Sequence, residues 1–297
     1  MSWKTLARSS AARAVRGSGL PGAVRAATRR RATVAFYHDP SPEVLDAHLR
    51  FCRDRFRFVA YDLLVDALRT RDFGRIPQRA LALTFDDGLA GNHALLPVLR
   101  KHGVRPTIFV CTAIVGSERG FWFNEPVETQ PLKRVPNGER LAALARATGF
   151  EPDAPRPGPR QALSRDEILD MADHVDFGSH TRTHPILPQC SDEEALEEIE
   201  GSRHDLERLL GRPCRHFCPP NGAFGEREAE LARKAGYESL RTTDTGFVGP
   251  RTDPFAIPVA GISDDASLDM FVTQLSGLPR FVKNLAQGRL GGATPPI

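Results

Sequence analysis

The segment Ala82-Leu83-Thr84-Phe85-Asp86-Asp87-Gly88 places two adjacent carboxylates at the end of an apolar run. An uninterrupted apolar run of this length predicts a buried strand of the kind found in parallel sheets. Gly88 permits a tight turn and the close approach of a ligand. An aspartate at this position is equally able to cap the following helix, so the segment alone leaves both roles open.

A second polar strand end follows about ninety residues later, in Gly178-Ser179-His180-Thr181-Arg182-Thr183-His184-Pro185. Pro185 and the preceding strand place both histidines on a loop, where such pairs are often ordinary surface residues. Together with the aspartates, however, they complete a set of one carboxylate and two imidazoles. That set binds divalent metal ions and leaves coordination positions for water and substrate. The second carboxylate remains for proton transfer, so the combination indicates metal-assisted hydrolysis.

Strand and helix patterns alternate along most of the chain. Apolar runs that predict strands begin near positions 33, 58, 80, 106, 175, 215, 238 and 255. Amphipathic segments lie between them, and Ser164 and Ser191 each open a capping box. Such repeats predict a parallel sheet with its polar residues gathered at the carboxyl ends of the strands. The pattern itself does not distinguish a (β/α) barrel from an open sheet.

Residues 116–163 interrupt this alternation. The stretch carries several Pro and Gly residues and one helical pattern near residues 139–147. Because structureless loops of this length are unusual in compact domains, we interpret it as an insertion. It contains Trp122 and Phe123, which are candidates for stacking on a sugar ring. Packing of these rings in the core explains them equally well.

Charge separates a basic N-terminal arm, residues 1–32, from a domain at residues 33–297. The arm holds eight basic residues and no acidic ones, whereas the remainder carries 32 basic and 37 acidic residues, a net charge of −5. No aromatic residues interleave with the basic ones, so we expect no nucleic-acid partner. A solvated or loosely docked helix is the simplest interpretation of the arm. Peripheral contact with the inner membrane surface is the alternative.

Composition predicts a soluble globular protein, with 40% hydrophobic and 26% charged residues among 297. No run approaches the ~18 apolar residues that span a bilayer, and the arm lacks the apolar stretch of a secretory signal. The five cysteines are an odd number without C-x-x-C spacing. We therefore expect reduced thiols and a cytoplasmic protein, either free or associated with the membrane through its arm.

The order of these motifs resembles the polysaccharide deacetylase family, also called the NodB-homology or carbohydrate esterase family 4 domain. The family motif T-F-D-D-G corresponds to residues 84–88, and H-[ST]-x-x-H corresponds to residues 180–184. The resemblance extends from about residue 33 to 262. It includes the opening pair Tyr37-His38 and a later F-x-x-P-N-G loop at residues 217–222.

The resemblance implies a deformed (β/α) barrel and a divalent metal, often zinc, with cobalt, nickel or manganese as alternatives. Asp87, His180 and His184 would bind this metal, and Asp86 would be the general base. A backbone N–H of the loop Pro220-Asn221-Gly222 would help to stabilise the tetrahedral oxyanion.

Two positions depart from the family pattern. No histidine follows His216, although many members supply the general acid from a histidine near the C-terminus. In branches with a permuted strand order a histidine on an N-terminal Tyr-His strand fills this role, and His38 matches it. The second departure is Cys218, where many members carry an arginine that orients the base. A branch reading F-A-Y-P-N-G also lacks this arginine, so the orienting partner of Asp86 is left unidentified.

The resemblance predicts a metal-dependent hydrolase that removes N-acetyl groups from a sugar of a polysaccharide or a lipid-linked glycan precursor. A different carbon–nitrogen hydrolase on the same scaffold, acting on a cyclic amide or a ureido group, is one alternative. A glycan-binding module without turnover is the other, because the family's arginine and C-terminal histidine are missing. Release of free acetate distinguishes the first interpretation from both alternatives.

Overall fold

The computed structural model describes the backbone of residues 3–278 and the side chains of residues 10–278. Its helices are α1 (Trp3–Gly17), α2 (Leu20–Ala27), α3 (Pro42–Arg53), α4 (Tyr61–Arg69), α5 (Leu96–His102), α6 (Asn137–Thr148), α7 (Arg165–Met171), α8 (Asp192–Leu210), α9 (Glu226–Lys234) and α10 (Leu268–Leu275). Its strands are β1 (Thr33–Tyr37), β2 (Arg57–Phe58), β3 (Ala80–Phe85), β4 (Thr107–Val110), β5 (Asp176–Ser179), β6 (His216–Phe217), β7 (Ser239–Thr245) and β8 (Ile257–Gly261).

Hydrogen bonding places these strands in the order β1-β8-β7-β6-β5-β4-β3-β2, and β1 also pairs with β3. The pairing is parallel: Ala35 of β1 lies opposite Leu83 of β3 on one side and opposite Ala260 of β8 on the other. Because β1 pairs with both β3 and β8, the strand order closes on itself, as it does in a (β/α) barrel. The sequence pattern predicts the parallel sheet, and the strand order supplies the closure that the pattern leaves undecided.

The chain divides into two compact units. Of the described residues, the first contains residues 3–85, residues Ala94–Thr107 and residues 242–278. All six residues of β3 are buried in it, and each fully buried leucine there stabilises the fold by roughly 1.5–3 kcal/mol. Helix α1 of the arm lies against α10, where Arg16 Nη1 is 2.7 Å from Asp269 Oδ1. The arm is therefore helical and docked on this unit.

The second unit contains residues Asp86–His93 and Ile108–Arg241. Both predicted capping boxes are present in it: for example, the Glu194 N–H donates to Ser191 Oγ at 3.2 Å, and the Ser191 N–H donates to Glu194 Oε2 at 2.8 Å. Helix α8 begins at this box and ends at Gly211, which has the left-handed φ of 64° expected of a C-terminal cap.

The predicted insertion at residues 116–163 lies in the second unit. Its helical pattern is confirmed as α6, and short 3₁₀ turns occupy residues 122–124 and 131–134. Trp122, Leu144 and Phe150 of the insertion form a buried hydrophobic cluster together with Ile186, which lies outside it. Near its end the Leu163 N–H donates to the Gly88 carbonyl at 2.8 Å. The insertion therefore braces the turn that follows the two aspartates.

Two further expectations concern the cysteines and membrane spans. All five cysteines are free and buried, as expected for reduced thiols. Among residues 3–278, no helix combines the length and hydrophobicity that crossing a bilayer requires. The boundary between arm and domain at residue 32 stays a prediction.

Candidate metal and catalytic site

Asp86 and Asp87 directly follow the last residue of β3 and are both buried. The chain turns sharply here, because Asp87 and Gly88 both adopt left-handed φ values, 70° and 68°. A Cβ at Gly88 would lie 2.6 Å from Val110 Cγ1, so this position also requires glycine for space. The turn directs two neighbouring carboxylates from one strand end into the same buried region.

His180 and His184 follow the end of β5 and are also buried. Thr181 and His184 both have positive φ values, 70° and 61°, which are rare for residues with a Cβ. The Thr181 hydroxyl stabilises the turn by accepting the His184 N–H at 3.1 Å. Backbone strain of this kind concentrates at functional sites, where the surrounding structure holds it in place.

Asp87, His180 and His184 form a compact group of potential metal ligands, with ligand atoms within 4.8 Å of one another. Asp87 Oδ1 lies 3.3 Å from His180 Nε2 and 3.3 Å from His184 Nε2. This oxygen is buried and accepts no hydrogen bond. One carboxylate oxygen and two imidazole nitrogens therefore face a common point.

The tautomer of His180 shows why this arrangement fits a cation. His180 Nδ1 lies 2.6 Å from the Cys218 carbonyl oxygen, which can only accept, so Nδ1 carries the proton. In the neutral ring the Nε2 atom then presents a lone pair toward Asp87 Oδ1, which is also an acceptor. Two facing acceptors need a positive charge between them. A divalent ion of the zinc type satisfies this donor set, and the Cys218 carbonyl supplies the outer hydrogen bond that metal-binding histidines usually make.

The pKa shifts of Asp87 and His180 also indicate that this group of side chains favours a positive charge. Burial raises the pKa of Asp87, but the two histidines beside its carboxylate outweigh burial and hold the pKa well below its usual range. Burial lowers the pKa of His180, but the Cys218 side chain and the aspartates outweigh it and raise the pKa well above its usual range. Burial lowers the pKa of His184. Asp87 is thus an anion and His184 a neutral base, the forms that bind metal, whereas His180 would give up its second proton when a metal binds.

Asp86 points to a different partner. Both of its carboxylate oxygens accept from Nη2 of Arg241, a fully buried residue on β7. The same Nη2 lies 2.7 Å from Cys218 Sγ, which is 3.9 Å from Asp86 Oδ2. The orienting partner that the sequence left unidentified is therefore Arg241.

The strand register explains how Arg241 takes this place. Phe217 of β6 lies opposite Leu240 of β7, so the next residues, Cys218 and Arg241, are cross-strand neighbours. A small thiol at position 218 leaves room for a guanidinium from the adjacent strand. Asp86, His180 and Cys218 also form a geometric group of ligand atoms. The guanidinium beside Cys218 and Asp86 disfavours a cation there, so the Asp87 group is the better metal site.

Trp122 does not have the sugar-stacking role that the sequence left open. Its side chain is 2% exposed, too little for its ring to stack on a sugar, so of the two roles left open the structure favours packing in the core. Instead its indole N–H donates to the His184 carbonyl at 2.7 Å. The neighbouring Phe123 is only partly buried, and its ring lies edge-on to His184 with the centroids 4.7 Å apart. Phe123 thus lies beside the candidate metal ligands and keeps part of its ring surface exposed.

The loop predicted to bind the oxyanion directly follows Cys218. Pro220 is buried, Asn221 is exposed with a left-handed φ of 56°, and the Asn221 Oδ1 accepts from Lys133 Nζ at 2.7 Å. The Gly222 N–H already donates to the Pro219 carbonyl at 3.0 Å. Within this loop the Asn221 N–H is therefore the better candidate for an oxyanion donor.

His38 lies at the carboxyl end of β1, in the first unit. The residue is exposed, and its backbone N–H donates to Asp264 Oδ1 at 3.0 Å. Its ring lies edge-on to Phe36. Its role as the general acid stays a prediction. His216, in contrast, begins β6 and is buried with Nδ1 2.9 Å from Ser239 Oγ, a structural position.

Solved structures with a similar fold include proteins named as deacetylases. The deacetylase PplD from Streptococcus pyogenes in complex with acetate superposes with a TM-score of 0.62 at 17% identity, covering 82% of this chain and 98% of that one. IcaB from Ammonifex degensii gives 0.59 at 19% identity, with 83% and 95% covered. A de-N-acetylase from Aggregatibacter actinomycetemcomitans gives 0.59 at 14%, with 82% and 99% covered. These likenesses confirm the deformed (β/α) barrel.

The sequence matches the polysaccharide deacetylase family over residues 74–240, more than half of its length, and the chain belongs to this family. It is a carbohydrate deacetylase, a hydrolase of carbon–nitrogen bonds other than peptide bonds. No curated protein shows significant sequence similarity to the chain.

Proposed function

We propose that the protein is a metal-dependent N-deacetylase that acts on an acetylated sugar of a polysaccharide or a lipid-linked glycan precursor. The observation that carries the proposal is that the two adjacent aspartates face different partners. Asp87 faces two histidines at 3.3 Å, whereas Asp86 faces Arg241. The names of the structural relatives, a deacetylase bound to acetate and a de-N-acetylase, support the same chemistry.

Asp87, His180 and His184 would hold the metal. When bound, a divalent ion supplies Lewis-acid chemistry, which polarises an amide carbonyl and makes water a better nucleophile at neutral pH. Asp86 would accept the proton of the attacking water, because Arg241 holds its carboxylate in one orientation. The Asn221 N–H would donate to the developing oxyanion. Phe123, rather than Trp122, would contact the sugar ring.

Acetate release tests this proposal. The purified protein is loaded with zinc, cobalt, nickel or manganese and assayed on a panel of N- and O-acetylated sugars. We expect metal-dependent release of free acetate from N-acetylated sugars, abolished by a chelator and restored by added metal. Ammonia or ring-opened products would instead indicate a different carbon–nitrogen hydrolase, and sugar binding without any product would contradict catalysis.

His38 is proposed as the general acid that protonates the leaving amine. We expect His38→Ala to lower kcat on an N-acetyl sugar by roughly 10²–10⁴-fold with little change in KM. An activated acetate ester should be affected much less, because its leaving group departs without protonation. The matched control is His204→Ala, which removes a histidine from the exposed face of α8. Equal loss on both substrates would rule out an acid role.

The basic arm extends the proposal to the location of the substrate. Arg16 pairs with Asp269, whereas Arg13 keeps 86% of its side chain exposed, so Arg13 can meet anionic lipid. We propose that the arm binds the inner membrane surface, where a lipid-linked sugar would lie. Co-flotation with anionic vesicles, lost in neutral vesicles and in Arg13→Glu, is the expected result. Equal flotation with both kinds of vesicle would contradict it.

A further inference from the structure

A buried arginine in the insertion lacks the partners that its charge requires. Arg140, on α6, is 1% exposed. Its Nη2 donates to Asn137 Oδ1, but Nε and Nη1 are buried without any hydrogen-bond partner. Among the ion pairs of residues 10–278, none involves Arg140. A buried guanidinium normally has its N–H groups satisfied and its charge balanced, because either omission costs free energy.

The side chains around Arg140 already make other contacts. Its guanidinium carbon lies 4.6 Å from the centroid of the Trp122 ring, which covers one face. Two carboxylates act on its charge from a distance, Glu194 and Glu198. Glu198 already accepts from the Arg182 and Thr183 N–H groups at 2.7 and 2.9 Å, and Glu194 closes its own capping box. Within the part of the chain whose side chains are described, no anion is therefore in contact with Arg140.

A small cavity lies beside this guanidinium. It has a volume of about 30 Å³ and is lined by Arg140, Trp122, Gly120, Asn137, Phe150 and Thr183 among others. One water needs roughly 10–15 Å³ measured in this way, so the cavity holds two waters or one small ion. Asn137 is the first residue of α6, whose first turn has no side-chain cap. Its N–H groups add a partial positive charge at the same place.

From these observations we propose that the Arg140 cavity is a binding site for a small monovalent anion, such as chloride or a short carboxylate. Nε and Nη1 lie on different edges of the guanidinium. A carboxylate can therefore use Nη1 together with the second proton of Nη2. The cavity volume excludes a sugar acid or a nucleotide. The site is separate from the proposed metal ligands and does not depend on the proposed reaction.

The anion would stabilise the environment of a metal ligand. Arg140 covers one face of Trp122, and the Trp122 indole N–H holds the His184 carbonyl at 2.7 Å. A bound anion would balance the positive charge of Arg140, which lies against the face of this ring. Occupancy of the cavity should therefore be visible both in the fluorescence of Trp122 and in the stability of the protein.

The test is an anion titration of the full chain in a Trp3→Phe background, which leaves Trp122 as the only fluorescent tryptophan. Chloride, acetate and formate are compared with gluconate, which is too large for the cavity, at equal ionic strength. We expect a saturable change in Trp122 fluorescence and a saturable rise in melting temperature with the small anions alone. Both responses should weaken more than tenfold in apparent affinity in Arg140→Gln.

Two controls complete the experiment. Arg146→Gln removes an exposed arginine from the same helix and should respond like the parent. Arg140→Met replaces the guanidinium with an apolar chain that can fill the space, and it carries the test if the glutamine variant folds poorly. A response equal in gluconate, or unchanged in the Arg140 variants, would overturn the proposal and indicate that water alone fills the cavity.

Discussion

Asp86→Asn is expected to lower the rate of acetate release by roughly 10²–10⁴-fold while the protein still binds one metal ion. Asparagine keeps the shape of the side chain but cannot accept the proton of the attacking water. The metal should remain because its proposed ligands are Asp87, His180 and His184, and Asp87 Oδ1 faces the histidines independently of Asp86. The measurements are kcat on an N-acetylated sugar and metal content after gel filtration.

Substitutions of two other aspartates distinguish the general base from the metal ligand. Asp87→Asn should lose both metal and activity, and Asp166→Asn, at an exposed position of α7, should lose neither. Loss of metal in Asp86→Asn, or full activity in that variant, would contradict the assignment of separate roles to the two aspartates.

Arg241→Met is expected to lower kcat by about 10–100-fold with little change in KM, a typical loss when a group that orients a reacting residue is removed. The substitution leaves Asp86 as a buried carboxylate without its partner. Breaking a buried ion pair on one side costs about 3–5 kcal/mol, so the melting temperature should fall as well. Kinetics, thermal unfolding and metal content are measured on the same preparation.

A variant that moves the arginine to the neighbouring strand distinguishes a positioning role of Arg241 from a purely stabilising one. Because Cys218 and Arg241 are cross-strand neighbours, the double substitution Cys218→Arg with Arg241→Leu offers a guanidinium to Asp86 from β6 instead of β7. We expect it to recover a large part of the kcat that Arg241→Met loses. Recovery of the melting temperature without recovery of kcat would show that Arg241 contributes only to stability.

Local sequence patterns were sufficient to predict the parts of the fold that depend on neighbouring residues. The capping boxes at Ser164 and Ser191, the helix within the insertion and the strands before Asp86 and His180 all lie where the patterns place them. Closure of the strand order was not visible in these patterns, because it depends on the pairing of β1 with β3, two segments separated by β2 and two helices. The family resemblance supplied it instead.

Two site residues escaped prediction for a similar reason. Arg241 lies 155 positions from Asp86, and only the register of β6 and β7 brings its guanidinium to the carboxylate. A charged residue within the strand-like run from residue 239 was the available signal. For Trp122 the sequence left stacking on a sugar and packing in the core equally open, because nothing local shows that the insertion folds over it. Its burial depends on Leu144 and Phe150, which lie further along the insertion, and on Ile186, which lies outside it.

The central claim is that Asp87, His180 and His184 bind a metal that activity requires. The most direct measurement is metal titration of the metal-free protein by calorimetry, with acetate release recorded at each ratio of metal to protein. We expect one ion to bind per chain and activity to rise in proportion to metal occupancy. Asp87→Asn and His180→Ala should lose both metal binding and activity. Full metal binding and activity in those two variants would contradict it.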